Sequence, residues 1–141
     1  MMIIVDIDHV LCDRSHRDVE IAQADWDEYN RLAINDKPIK PMIDLVNALS
    51  EDDHVVIGFS SRQERWRKLT NEWLLRHKVD LAELIMRRND DYRPASLIKR
   101  ELLNSPIVKD HGGIALYIDD REDICQDFSD LAVTTLQVRK R

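Results

Sequence analysis

Cysteine is scarce in this chain of 141 residues: only Cys12 and Cys125 occur. Two thiols so far apart make no disulfide framework and lack the spacing of a zinc site. They read as reduced thiols of a cytoplasmic protein. Glycine and proline are also few, at 3 and 4. That excludes collagen-like and Gly/Pro-rich linker segments, and no internal repeat or low-complexity tract is visible. No apolar run approaches the ~18 residues of a membrane span. The opening MMIIVDID reaches acids at once, so no signal peptide and no membrane partner are expected. Basic runs are short, the longest being Arg139-Lys140-Arg141, and the net charge is -6. A protein that coats nucleic acid nonspecifically is thereby disfavoured, while a local basic site stays open. What is present is a hydrophobic fraction of 43% and a charged fraction of 34%. A single domain over 1–141 is expected, able to bury roughly two thirds of its unfolded surface without cross-links.

Short β-branched runs alternate with helical patterns. The runs are Met2 to Ile7, Val55 to Phe59, Leu84 to Met86, Ile114 to Ile118 and Val133 to Val138. They are continuous, as parallel strands buried on both faces should be. Pro41 can open a helix whose Met42, Leu45, Val46 and Leu49 share one side. Trp66, Leu69, Trp73 and Leu74 repeat that stripe, and further helices are expected over Ala95 to Leu103 and after Arg121, including Ile124, Phe128 and Leu131. The order predicts an α/β, Rossmann-like domain with a parallel five-stranded sheet and helices on both faces. Residues 13–40 break the alternation and read as a small helical insertion after the first strand.

In such sheets ligands bind at the carboxyl ends of the strands. The first strand ends in Asp6-Ile7-Asp8, the second in Ser60-Ser61-Arg62 and the fourth in Asp119-Asp120. Four carboxylates at one edge repel each other unless something positive sits among them. A hard divalent cation with oxygen ligands answers that need, and Mg²⁺ suits it best. Each motif alone has a plainer reading. D-x-D can be a solvated loop, Asp119-Asp120 a helix cap with a first-turn acid, and Ser60 a cap for the helix after it. Their joint occurrence, in this order, is the signal.

IIVDIDHVLCD, VVIGFSSR, Lys99 and LYIDDRED together resemble the four motifs of the haloacid dehalogenase-like (HAD) phosphatases. A narrower likeness is to the 3'-phosphatase domain of phage polynucleotide kinase-phosphatase. Arg17 stands nine residues past the second acid and Arg62 two past Ser60, and DWDEYN, DKPIKP, IDDRED and LQV are similar too. Two departures stand out. The usual Gly-Thr after the second acid is His9-Val10, where His9 can narrow the turn, touch substrate or simply be exposed. The Asp usual four residues before the lysine is Ala95, for which Asp90 or Asp91 could substitute in space.

The resemblance implies covalent phosphoryl transfer, with Asp6 as nucleophile and Asp8 as general acid and base. It implies Mg²⁺ held by Asp6, Asp8 (through its backbone carbonyl), Asp119 and Asp120. Ser60 and Lys99 are then catalytic groups on the transferring oxygens, and Arg17 and Arg62 bind substrate phosphate as forks. Solvated or ion-paired surface roles are the plainer reading of Lys99 and both arginines. The implied substrate is a 3'-phosphorylated nucleic acid end or a nucleotide, met by an open site and by Arg14, Arg65, Arg87, Arg88 and Arg93. The chain carries no G-x-x-x-x-G-K-[ST] loop and hence no kinase half. A nucleotidase or general small-molecule phosphatase is the alternative enzyme. An idle HAD-like binding module is the alternative of another class, mildly favoured by Ala95. The cytoplasm, of a host if the gene is phage-borne, is the expected location.

Overall fold

Alternation along β1 (Met2–Asp6) sends Ile3 and Val5 to one face of a sheet and Met2 and Ile4 to the other, and all four are buried. A strand covered on both faces belongs in the middle of a parallel sheet. The computed structural model places it there. It describes residues 1–18 and 25–139, so residues 19–24 of the expected insertion, together with Lys140 and Arg141 of the basic terminus, lie outside the described residues. β1 pairs in parallel with β4 (Val55–Gln63) on one side and β6 (Leu116–Asp119) on the other. Outside these lie β5 (Glu83–Arg87) and β7 (Thr135–Gln137), which gives the order β5-β4-β1-β6-β7. The expected five-stranded parallel sheet is therefore present.

One face is covered by α3 (Lys40–Glu51) and α4 (Arg67–Arg76), the other by α5 (Ala95–Glu101), α6 (Pro106–Asp110) and α7 (Glu122–Asp130). On the first face Ile43, Val46, Trp73 and Leu74 pack against Ile3, Val5 and Ile7. On the second, Ile98, Val108, Ile124 and Phe128 pack against Met2, Ile4 and Tyr117. Phe128 lies stacked on Tyr117 with ring centroids 3.9 Å apart.

The helical stripes need corrections. Leu45 is exposed, and Ile43 occupies the inward position beside Val46 instead. Helical turns of 3.6 residues put 42, 43, 46 and 49 on one side, so 45 falls outside that arc. Leu131, expected on the apolar side of the last helix, is likewise exposed, at its C-terminal cap. α6 is not in the periodic reading because five residues are too few to show a period; it starts at Pro106, with Ser105 as its N-cap.

Residues 13–40 hold more than helices. α1 (Ser15–Asp18) and α2 (Trp26–Arg31) are there, with a 3₁₀ turn over Leu32–Asn35. A two-stranded antiparallel ribbon of β2 (Cys12–Asp13) and β3 (Lys37–Pro38) closes the stretch back onto the end of β1. Among the described residues no helix is long and apolar enough to cross a membrane. Cys12 and Cys125 are both free and buried.

Candidate active site

Because β1 lies between β4 and β6, their carboxyl ends bring Asp6, Ser60 and Asp119 to one edge, where successive connections leave in opposite directions. Asp6 shares the parity of Met2 and Ile4, so it faces the side covered by α5, from which Lys99 reaches in. The Lys99 Nζ lies 2.6 Å from Asp119 Oδ2 and 3.3 Å from Asp6 Oδ1. All three side chains are buried, with Lys99 only 2% exposed. A lysine so deep is no solvated helix residue; it is the cation of a carboxylate cluster. Tyr117 Oη donates to Asp119 Oδ2 at 2.8 Å, and the Arg121 backbone N–H donates to its Oδ1 at 3.1 Å. Ser60 is fully buried, and its Oγ accepts from the Arg62 backbone N–H at 3.1 Å.

The electrostatics of this edge are unbalanced. Burial pushes the Asp6 carboxyl up to about 8; Lys99 opposes the shift, while Asp119, Asp8 and Asp120 add to it. Asp120 is also raised, by burial and then by Asp119. Burial works against the charge of Lys99, but Asp6 and Asp119 outweigh it and hold the amine above its ordinary range. Carboxylate oxygens of Asp6, Asp119 and Asp120 lie within 4.8 Å of one another. One lysine does not neutralise three acids, and the remaining donors are all hard oxygens. This donor set fits a small divalent cation such as Mg²⁺.

The second acid of the D-x-D pair goes elsewhere. β1 ends at Asp6, Ile7 buries its side chain, and Asp8 enters a tight turn through His9, whose φ is 62°. Asp8 Oδ1 accepts from Arg62 Nη2 at 2.8 Å and from Arg17 Nη2 at 3.0 Å, and its Oδ2 accepts from Arg62 Nε at 3.1 Å. Burial alone would raise the Asp8 carboxyl; the two guanidinium groups, Arg62 first, overcome this and hold it well below the usual carboxylate range. Arg62 reaches Asp8 because β4 carries an irregularity between Ser60 and Gln63, which releases Ser61 and Arg62 from the ladder with β5.

A further residue completes this clamp and is absent from the sequence reading. Asp36, 2% exposed, accepts from Arg17 Nε and Nη2, both at 2.9 Å. His16 Nε2 lies 2.8 Å from its Oδ1, and Trp73 Nε1 donates to its backbone carbonyl at 2.9 Å. Arg17 and Arg62 are thus engaged by Asp8 and Asp36, and Arg17, 2% exposed, presents no open fork to a substrate. In this arrangement paired acids take these donors, and the two arginines position Asp8. The only linear signal for Asp36 is its place in DKPIKP, since the ribbon of β2 and β3 carries it under Arg17.

The remaining expectations resolve unevenly. His9 is buried, not exposed; its Nε2 lies 3.0 Å from Asp18 Oδ2 and accepts from Arg14 Nε at 3.0 Å. Its left-handed backbone explains why a glycine suits this position in the resembling proteins. Asp91 is held by Arg93 at 2.7 Å and Asp90 lies 3.5 Å from Arg88, so neither replaces an acid at Ala95. The carboxylate partners of Lys99 among the described residues are Asp6 and Asp119. Of the outer arginines, Arg14 pairs with Asp18, and Arg93 with Asp91 and Glu101. Arg87 donates to the carbonyls of Ser61, Asp91 and Arg93.

Comparison with known proteins shows the family and the fold. The family model described as the polynucleotide kinase PNKP phosphatase domain matches residues 1–141. No curated protein matches the chain. Among solved structures, the Pnkp1/Rnl/Hen1 RNA repair complex contains a chain similar in fold, at 24% identity and a TM-score of 0.82, over 98% of this chain and 42% of that one. This chain therefore spans less than half the length of that relative. The class C acid phosphatase from Bacillus anthracis is similar at 16% identity and a TM-score of 0.70, over 98% of this chain and 65% of that one. A HAD family enzyme from Bacteroides thetaiotaomicron, in complex with magnesium and inorganic phosphate, is similar at 16% identity and a TM-score of 0.56, over 96% and 92%. With the family model spanning every residue and the sheet matching HAD structures, this chain belongs to the polynucleotide kinase PNKP phosphatase domain family, of the HAD type.

Proposed function

We propose that the protein is a Mg²⁺-dependent phosphomonoesterase that removes 3'-phosphate from nucleic acid ends or nucleotides. The observation that carries this reading is the cluster of buried Asp6, Lys99 and Asp119 with half-buried Asp120, beside an Asp8 held apart by arginines. One acid is placed for attack and a second, of different environment, for proton transfer. Asp6 attacks phosphorus, the bond to the leaving oxygen breaks, and an aspartyl-phosphate forms. Asp8 gives its proton to the departing alkoxide. Water then attacks the same phosphorus, passes a proton to Asp8 and releases phosphate and the free Asp6. Lys99 and Ser60 stabilise the transferring oxygens, where charge is spread in the transition state.

Asp8 must carry a proton in the first half, which its clamp opposes. A substrate phosphoryl group that draws one arm of Arg62 to itself would relieve the clamp, because an anion competes for the same fork. Once Asp8 has given its proton to the alkoxide, Arg17 holds it in the ionised form that the second half needs. Asp6, Asp119, Asp120 and the backbone carbonyl of Asp8 would hold Mg²⁺. When bound, Mg²⁺ neutralises charge between nucleophile and phosphate. Residues 13–18 and 25–40 serve as a minimal cap over this edge of the single domain. An RNA repair complex among the solved relatives supports a nucleic acid substrate.

Phosphate release with Mg²⁺ and with EDTA, on a 3'-phosphorylated oligonucleotide and on 3'- and 5'-mononucleotides, tests the reading. The expected result is Mg²⁺-dependent release from the 3'-phosphorylated oligonucleotide in preference to either mononucleotide. Preference for mononucleotides makes the protein a nucleotidase, and no release from any substrate removes the enzymatic reading.

A further inference from the structure

A cleft of about 510 Å³ opens beside Arg62 and is lined by Trp26, Arg62, Arg65, Trp66 and Tyr92. Its size falls within the range of small-ligand sites. Tyr92 is 81% exposed and Trp26 58%. Two large rings left open to water at one cleft are unusual for a face with no ligand.

The surroundings hold these rings in place. Trp26 begins α2, whose N-cap Asp25 accepts from the backbone N–H groups of Asp27 and Glu28 at 3.1 and 3.2 Å. Its ring meets Tyr29 edge to face at 5.6 Å. Tyr29 in turn donates to Asp18 at 2.7 Å and lies under the Arg17 guanidinium at 4.6 Å. The Asp8 clamp and Trp26 therefore share one support, through Arg17. On the other side Arg87 Nη1 donates to the carbonyls of Asp91 and Arg93, at 3.0 and 2.6 Å, and fixes the loop around Tyr92. Gln63 and the Arg65 backbone bond to Asn89 at 3.1 and 2.8 Å, and the Arg65 side chain is exposed with no carboxylate partner among the described residues.

We propose that this cleft binds the nucleobase of the nucleotide that carries the phosphate, stacked on Tyr92 or Trp26, with Arg65 beside it for the adjoining backbone phosphate. Flat aromatic faces beside an unpaired guanidinium suit a base and a phosphate together, and tolerate any base because every base has a π-face. Arg62 lines the cleft and also grips Asp8, so a base seated there leaves its own phosphate at the catalytic edge. The larger cleft of about 800 Å³ shares Tyr92 but not Arg62 or Trp26, and its Arg93 is paired with Asp91 and Glu101. The inference rests on the phosphatase reading and names what selects its substrate.

The test compares kcat/KM for a nucleoside 3'-phosphate and for glycerol 2-phosphate, which has no ring, in wild type, Tyr92→Ala, Tyr92→Phe and Trp26→Ala. Tryptophan quenching by the same nucleotide in EDTA is measured in parallel. Loss of one stacking face is expected to lower kcat/KM for the nucleoside phosphate about tenfold. Glycerol 2-phosphate turnover should stay unchanged in Tyr92→Ala, and Tyr92→Phe should match wild type. Equal losses on both substrates, or none in either alanine variant, overturns the base site while leaving the phosphatase reading intact. If wild type releases phosphate from neither of these nor from a 3'-phosphorylated oligonucleotide, the phosphatase reading fails instead. Quenching then decides the cleft alone: quenching that Tyr92→Ala weakens supports it, and no quenching in wild type overturns it.

Discussion

Asp6→Asn is expected to lower phosphate release on the order of 10⁴-fold or more, the scale on which enzymes lose rate when a covalent nucleophile is removed. The amide keeps the shape of the carboxylate, so the fold stays. Stability should move the other way from activity. The folded-state carboxyl, at about 8, lies above its ordinary value of 3.8. A raised carboxyl contributes stability that is complete below the unfolded value and is lost as pH rises toward the folded one. At pH 7 without a divalent cation, folding must therefore bring a proton onto Asp6, a cost that Asn does not carry. Asp6→Asn should melt at or above wild type in EDTA at pH 7, and the difference should close toward pH 4. Mg²⁺ should raise the wild-type melting temperature more than that of the variant, since a ligand stabilises the state that binds it. Thermal unfolding in EDTA and in Mg²⁺, beside phosphate-release assays, checks all three. Retained turnover in Asp6→Asn removes the covalent mechanism.

Asp36→Ala is expected to cost about 3–5 kcal/mol, the scale for removing one partner of a buried ion pair. Arg17 would keep a bond to Asp8 but lose both of its bonds to Asp36, at a site only 2% exposed. For a chain of this length that loss lowers the melting temperature by roughly 10–20 °C. Asp36→Asn keeps the volume and one acceptor and should cost less. Denaturant unfolding gives the stabilities. Turnover of the folded Asn variant should also fall, because Arg17 no longer sets Asp8 from two sides. A stability loss under about 1 kcal/mol in Asp36→Ala would mean the pair is not maintained in solution.

The polar edge at the carboxyl ends of the strands was legible in the sequence for a definite reason. Parallel strands are continuous apolar runs, so the first polar residue after each run marks the carboxyl end of the sheet. Asp6, Ser60 and Asp119 follow such runs directly, and the structure brings them together with Lys99. Burial of that lysine was not legible, because α5 is short and mostly polar. The arginines show the opposite case. Arg17 and Arg62 were recognisable by spacing, but spacing does not say which acid takes their donors. Asp36 arrives beneath Arg17 through a ribbon of two-residue strands, too short for any periodic signal. Departures at His9 and Ala95 also divide. His9 adopts the left-handed turn at the cost a side chain brings there, and pairs with Asp18. Ala95 opens α5 and packs against the core, and Lys99 keeps two carboxylate partners without an acid at that place.

Trapping of the covalent intermediate bears most directly on the role of Asp6. Wild-type protein is mixed with a 3'-phosphorylated oligonucleotide and Mg²⁺, quenched in acid within the first turnover, and its peptides are mapped by mass spectrometry. A phosphoryl group on Asp6, absent when Asp6→Asn is treated alike, is the expected result. Turnover with a phosphoryl group on another residue, or with none on the protein at all, would contradict a nucleophilic Asp6.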